Sequence, residues 1–512
     1  MAAEHSASRS LVMGAATNWA AFAATLAVSF FLAPYLVGRL GDARYGVWCV
    51  VESILAYFTL FDLGLAACLV RFVAKYHALG AQAELNRIIS SAVGLFTLAA
   101  LAVMIVGGAI TPFIAPGLER QLDEPGDVLP FMLLMMANLA ITLPLSTFPS
   151  ILDGLQRFGT KSLVRIGGLA LRVGAIVGVM ETRPALLPLA LVFTATNLLE
   201  HMVLALFCFR FLPGLQLSTR WIDRATVRQM KGYSLDAFLA MLAGRISVQS
   251  GAIIVGGWLS VAAAAHYAIA TRLVDMAKTL LRSATTTLTP AVSQREATGD
   301  LDGIRQVLLD GTRWVLYLVL PIQGGILAFG QPFLARWMGH ADYAAWCFPP
   351  AAILSATLTL GVAQSVAARI LYGMGRLKLF ARGALVEAAV NIVLSAALVG
   401  PLGVVGVALG VAVPNVVFGL VVIASTCRLV DIDVRSYFIR SWLRPLCAAA
   451  VPVGVWVALG PAEARWPSIA WGIVAGLGPY AWVVLAVEGW VLRPRGVHGS
   501  SFILTRVMSR QR

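Results

Sequence analysis

Several ionisable residues interrupt long apolar runs of this sequence: Glu52, Asp62, Arg172, Glu200, His201, Asp236, Arg245, Arg272, Asp275, Lys278 and Glu387. In a lipid environment a charge at mid-depth costs about 2.5–3.5 kcal/mol on insertion scales, so each of them needs a reason to be there. Guanidinium groups bind phosphate oxygens in a bidentate fashion and keep their proton, so Arg172, Arg245 and Arg272, with Lys278, are candidates for holding an anionic group. Carboxylates and imidazole can carry a proton or a coupling ion. Asp62, Glu52, Glu200, His201 and Glu387 are the candidates for coupling or gating. A second reading stands beside the first: the arginines pair with Glu52, Glu200 or Glu387 across helix contacts and fix the packing.

Local spacing sharpens both readings. Arg165 and Arg172 lie seven apart on one helix face, the first placed to snorkel to the interface and the second two turns deeper. Arg272, Asp275 and Lys278 follow each other at intervals of three and can neutralise part of their own charge. Arg245 sits in a polar patch with Ser247, Gln249 and Ser250. Asn197, Glu200 and His201 form a single ridge, either a proton relay or a packing cluster. Asp62 is either an ion site or a residue capping the turn before Gly64.

The elements that must position these residues follow from composition. Of the 512 residues 59% are hydrophobic and 12% charged, against about 25% charged in soluble domains. With a mean hydropathy of +0.82, the chain reads as an all-α polytopic membrane protein. A bilayer core of about 30 Å needs about 20 apolar residues per helix. That ruler places fourteen spans near 14–37, 46–70, 89–112, 129–152, 162–180, 187–209, 236–258, 261–281, 313–333, 346–371, 380–400, 403–427, 445–460 and 467–491. No cleavable leader is expected, because the first long apolar run opens a span. The six cysteines lie in or beside apolar runs without CxxC spacing, and read as small buried residues.

Loop charges orient the spans. With the N-terminus inside, the inner segments hold 28 Lys/Arg and the outer connections 6, namely Arg39, Arg44, Arg120, Arg183, Arg336 and Arg465. This bias places both termini in the cytoplasm. The net charge of +14 then points to anionic membrane lipids as partners and not to nucleic acid.

An internal repeat organises the spans. YLVGRLGDARYGVW at 35–48 resembles IIVGGWLSVAAAAHYAIA at 253–270, and GAQAELNRII at 80–89 parallels GDLDGIRQVL at 299–308. Six spans separate the copies, so both halves face the same way and the pseudo-two-fold axis runs along the membrane normal. The expected division is a six-helix bundle with a cytoplasmic linker (1–231), a second six-helix bundle (232–444), and two extra helices with a basic cytoplasmic tail (445–512). Two like bundles around a central cavity make an architecture for alternating access. Three GxxxG pairs, Gly174/Gly178, Gly406/Gly410 and Gly472/Gly476, would allow close helix contacts. Pro34, Pro144, Pro321, Pro349, Pro350 and Pro414 mark expected kinks.

The segment YGVWCVVESILAYFTLFDLGLAACLVRFVAKY at 45–76 resembles the second-span signature of bacterial polysaccharide (O-antigen) flippases. Its matching features are the Tyr-Gly pair, Asp62-Leu63-Gly64 and the closing Arg71. These flippases belong to the multidrug/oligosaccharidyl-lipid/polysaccharide exporter superfamily. The resemblance implies movement of an oligosaccharide on an undecaprenyl pyrophosphate carrier from the cytoplasmic to the periplasmic leaflet of the inner membrane, with a polysaccharide polymerase and other assembly proteins as partners. The deep arginines would face the pyrophosphate.

No cofactor is expected. The sequence has no P-loop, HExxH or GxSxG, and its outer connections are too short to build a glycosyltransferase or ligase acceptor site. The chain therefore reads as a transporter and not an enzyme. A drug or metabolite antiporter of the same superfamily is the rival reading, for which an acidic, aromatic cavity is expected. A lipid II flippase would share the same fold.

Overall fold

The computed structural model describes residues 2–62, 64–123, 127–223, 226, 235–285, 288–460 and 463–491. Leu63 of the flippase-like motif, part of the linker and the basic tail lie outside the described residues, as does the side chain of Asp236. Among the described residues the regular structure is entirely helical.

Eleven helices among the described residues are long and apolar enough to cross a membrane. Two of them are double. Ala2–Phe58 turns at Gly41 (φ 77°) and Leu377–Leu429 turns at Gly403 (φ 58°), and only glycine holds such backbone without strain. Val261–Thr285 completes the fourteen spans; Arg272, Asp275 and Lys278 within it dilute its hydropathy. Pro34 lies inside helical residues, and the bend between spans 1 and 2 falls seven residues later at Gly41.

The spans run as follows. Span 1 precedes Gly41, and span 2 continues through a 3₁₀ turn at Thr59–Asp62 into Leu65–Ala78. Span 3 is Gln82–Glu119 and span 4 is Val128–Leu145 with Thr147–Gly154. Spans 5, 6 and 7 are Phe158–Thr182, Leu186–Phe211 and Leu235–Trp258. Span 8 is Val261–Thr285, followed by Leu288–Ala297, and span 9 is Leu301–Met338. Span 10 is Asp342–Ala356 with Leu358–Gly373. Spans 11 and 12 flank Gly403, and spans 13 and 14 are Val434–Leu459 and Trp466–Val491.

The halves repeat one another element by element. Spans 3 and 9 each contain 38 residues and two prolines, and each follows a left-handed glycine, Gly80 or Gly299. Spans 4 and 10 are each broken once, at Ser146, two residues after Pro144, and at Thr357, seven residues after Pro350. At both breaks the hydroxyl bonds back to a carbonyl three residues earlier, Leu143 or Leu354, and competes with the helical ladder. The weak match of 80–89 to 299–308 therefore marks equivalent positions.

Outward faces are apolar. Phe113, Val457, Trp482 and Leu485 are among the most exposed large hydrophobic residues, as lipid-facing helices require. The molecule is a multi-pass membrane protein. One hydrophobic core extends through both halves, from Tyr45 and Phe131 to Val366 and Ile423. A separate core of Leu69, Val73, Leu85, Ile89, Phe96, Ile151 and Leu152 belongs to the first half alone. Two GxxxG pairs support close approach. A methyl group at Gly406 or Gly410 would strike Leu398 or Ser395 of span 11, and one at Gly472 or Gly476 would strike Phe329 or Trp456. Gly174 and Gly178 have open space. Of the six free cysteines five are buried and Cys447 is exposed.

Candidate substrate cavity

A cavity of about 540 Å³ lies between the halves. Span 2 contributes Glu52, Ser53 and Thr59, and span 4 contributes Met135, Asn138 and Thr142. Phe193 and Asn197 come from span 6, Val248 and Gln249 from span 7, and Tyr267, Thr271, Arg272 and Asp275 from span 8. These residues face one space because each set recurs at helical spacing, three, four or seven apart.

The cavity is sealed at one end. A methyl group on Gly46 would collide with the Val261 carbonyl, and one on Gly256 would collide with Val50. The halves thus meet there backbone to backbone. Gln121, in the connection after span 3, caps the start of span 8: its Oε1 accepts from Val261 N at 2.8 Å, and its Nε2 donates to Gly256 O at 3.4 Å. Asp42 accepts from the Tyr343 hydroxyl, and its Oδ2 lies 3.1 Å from His266 Nε2. Trp337 Nε1 donates to Phe30 O at 2.9 Å, and the two rings stack at 5.2 Å. Arg44 donates to Pro184 O at 3.2 Å. These contacts bring to a single end the connections that carry Arg39, Arg44, Arg120, Arg183 and Arg336, the arginine-poor end of the bundle.

The candidate residues separate into different roles. Arg272 is the one base among the cavity-lining residues; its Nη1 donates across the interface to the Tyr45 hydroxyl at 3.2 Å. Glu52 and Asp275 share that wall. Lys278 pairs with Asp275 at 3.6 Å and does not itself line the cavity. Arg172 turns into the first half. It donates to Thr196 at 3.1 Å, pairs with Glu200 at 3.4 Å and lies over the Phe193 ring at 4.7 Å. It therefore stands behind the cavity wall and supports it through Phe193. Arg245 is exposed on span 7, one turn from Val248 and Gln249 on the same face, toward the arginine-rich end.

The polar ridge of span 6 is likewise divided. Asn197 faces the cavity, Glu200 holds Arg172, and His201 Nδ1 lies 2.9 Å from the Asn197 carbonyl. Asp62 Oδ1 accepts from Ala66 N at 3.1 Å, which makes it the cap of the helix after Gly64. Glu387 lies outside the cavity, buried between spans 7 and 11. Ser247 Oγ donates to its Oε2 at 2.5 Å, while its Oε1 has no hydrogen-bond partner. Among the described residues no three His, Cys, Asp or Glu side chains converge as a metal site.

Sequence reading missed the seal, since Asp42, Gln121, His266 and Tyr343 sit in four separate parts of the chain, at the starts of spans 2, 8 and 10 and in the connection after span 3. It also missed Glu488, a lone acid in the apolar run of span 14. That residue is buried, accepts from the Tyr317 hydroxyl at 3.0 Å and lies 3.9 Å from Arg444. It ties the extra pair of spans to span 9.

Residues 14–296 match the polysaccharide biosynthesis protein family, more than half of the chain and nearly all of the first half with spans 7 and 8. The chain belongs to this family. No curated protein matches it in sequence. Among solved structures it resembles the lipid II flippase MurJ in an inward closed conformation, with 13% identity and a TM-score of 0.74, covering 94% of this chain and all of the other. It also resembles an inward-facing multidrug resistance MATE family transporter of the MOP superfamily, with 14% identity and a TM-score of 0.63, covering 79% of this chain and 94% of that one. An outward-facing transporter of that kind gives a TM-score of 0.56 at 14% identity, covering 82% and 95%. The family member thus has the fold of these transporters.

Proposed function

We propose that this protein flips an oligosaccharide linked through pyrophosphate to an undecaprenyl-type lipid from the cytoplasmic to the periplasmic leaflet. The carrying observation is the cavity wall itself: one guanidinium, Arg272, beside Glu52 and Asp275 and among hydroxyls and carboxamides, with Phe193 and Tyr267 as the only aromatic rings among the described lining residues. Guanidinium suits the diphosphate. Neutral donors and acceptors suit sugar hydroxyls. With the arginine-rich end in the cytoplasm, the sealed end would face the periplasm and the cavity would load substrate from inside.

Transport then follows from alternating access. Arg272 and Arg245 draw the diphosphate along the face of spans 7 and 8, and the prenyl tail stays in lipid. Opening the seal at Gly46 and Val261 releases the head group outside. Glu387 is the proposed coupling acid. Its partnerless oxygen, buried away from the substrate, can take up and release a proton or a cation as the second half rearranges.

A second reading, export of organic cations, draws support from Glu52 and Asp275, two carboxylates beside one guanidinium. Deleting the gene separates the two. The flippase reading expects undecaprenyl-linked oligosaccharide to accumulate on the cytoplasmic leaflet with unchanged sensitivity to cationic drugs. Drug hypersensitivity with normal surface polysaccharide would replace it with the antiporter reading.

A further inference from the structure

The cavity holds two different kinds of wall. Around Arg272, Glu52 and Asp275 it is charged. Around Asn138, Thr142, Asn197 and Gln249 it is neutral and densely polar. On the first half's wall the neutral residues are not a random wetting of the surface, because the amides of Asn138 and Asn197 are held in fixed orientations.

Asn197 spends its Nδ2 on two acceptors, Asn138 Oδ1 at 3.1 Å and Thr142 Oγ1 at 3.2 Å. The Thr142 hydroxyl in turn donates to the Asn138 carbonyl. These bonds fix the Asn138 carboxamide by its oxygen and leave its Nδ2 with no hydrogen-bond partner among the described residues, on the cavity wall that Asn138 lines. A pre-set donor of this kind on a cavity wall is what a binding site for a polar group requires. On the second half's wall Gln249 has no hydrogen bond among the described residues at either end of its amide, so an amide N–H group and an amide oxygen face the cavity there.

Carboxamides do not compete for a diphosphate as guanidinium does, nor do they attract an organic cation as carboxylates do. Their paired donor and acceptor match adjacent hydroxyls of a sugar ring, each of which both donates and accepts. We propose that Asn138, fixed by Asn197 and Thr142, together with Gln249 forms a neutral subsite for a pyranose ring, separate from the anion-binding guanidinium of Arg272. The inference rests on the flippase reading and adds a division of labour within the cavity. Because the subsite draws on both halves, a bound sugar also bridges the two bodies that must move against each other.

Two probes test this on the full-length protein in lipid nanodiscs: farnesyl diphosphate, and farnesyl diphosphate bearing one sugar drawn from a panel of hexoses and N-acetylhexosamines. At least one sugar-bearing probe should bind about tenfold more tightly than the bare diphosphate. Gln249→Ala should erase roughly three- to tenfold of that difference, the value of a neutral hydrogen bond or two, without changing affinity for the bare probe. Asn138→Leu should do the same, with melting temperature confirming the fold of both variants. Arg272→Ala should weaken both probes alike. If both probes bind equally in the wild type, or the sugar increment survives both substitutions while Arg272 still matters, the subsite is refuted and the flippase reading stands. If neither probe binds the wild type, the flippase reading fails and the subsite falls with it.

Discussion

Arg272 of span 8 donates a hydrogen bond to the hydroxyl of Tyr45 in span 2, joining the two halves at the wall of the cavity. The guanidinium that would meet an anionic substrate is thereby part of the contact between halves. A diphosphate that takes over the Arg272 donors weakens that contact, which links loading to opening.

Arg272→Ala should abolish export and leave the protein in the membrane at its normal level. Arg272→Lys keeps the charge but loses the fork, and partial activity would assign the role to charge alone. Tyr45→Phe should preserve binding and loosen the seal. Complementation of a deletion strain by Arg272→Ala would overturn the anion-binding role.

Arg172 should behave differently, because it is half-buried against Glu200 and Thr196 behind Phe193. Arg172→Ala strands the Glu200 carboxylate and should cost about 1–3 kcal/mol in stability, seen as a lower melting temperature and yield. Replacing both partners, Arg172→Leu with Glu200→Leu, should recover most of the loss. A stable Arg172→Ala variant with no export would instead place Arg172 in substrate contact.

How much of this was legible in the sequence depends on the kind of signal. Apolar runs and loop charges carry the fourteen spans, because the bilayer imposes length and composition on every helix. The repeat surfaced at Gly80 and Gly299, where backbone geometry demands glycine. Partners were not legible. Arg172 and Glu200 lie 28 residues apart, and neither spacing nor charge says which of several buried acids an arginine meets. Asn138 carries no charge and did not stand out against the apolar background, and Gln249 stood out only as part of the polar patch around Arg245. The seal joins connections as distant as Asp42 and Tyr343, which only the packed fold brings together.

Topology can be checked on exposed positions that the seal does not use. Gln121 is engaged with Val261 and Gly256 and is a poor labelling site; Asp123, two residues on, is exposed. Asp123→Cys should react with membrane-impermeant maleimide in intact cells, and Thr298→Cys only after permeabilisation. The opposite pattern would invert the orientation and with it the assignment of the sealed end.

Glu387 supplies a test of coupling. Glu387→Gln keeps the shape and can still accept from Ser247, but it cannot gain and lose a proton. In proteoliposomes the variant should bind the sugar-bearing prenyl diphosphate like the wild type and lose the dependence of its transport on an imposed ion gradient. Retained gradient dependence would remove Glu387 from the coupling step and leave it a packing residue.

The seal itself yields the sharpest structural test. Span 2 and span 8 meet where Gly46 faces the Val261 carbonyl, with no room for a side chain. Gly46→Val cannot reproduce that contact, since the obstructing atoms belong to backbone and cannot rotate away. The added bulk should force the halves apart at the arginine-poor end and populate the form open there. Gln249→Cys, placed in the cavity as a reporter, should be inaccessible to impermeant maleimide from the periplasm in an otherwise wild-type background. It should become reactive when Gly46→Val is added. Export should fall because the inward-loading state is no longer reached, while a control at Gly38, where a side chain meets open space, should export normally as Gly38→Ala. If the reporter stays protected in the Gly46→Val background and export persists, the contact between Gly46 and Val261 is not the gate, and the barrier must lie with Asp42, His266 and Tyr343.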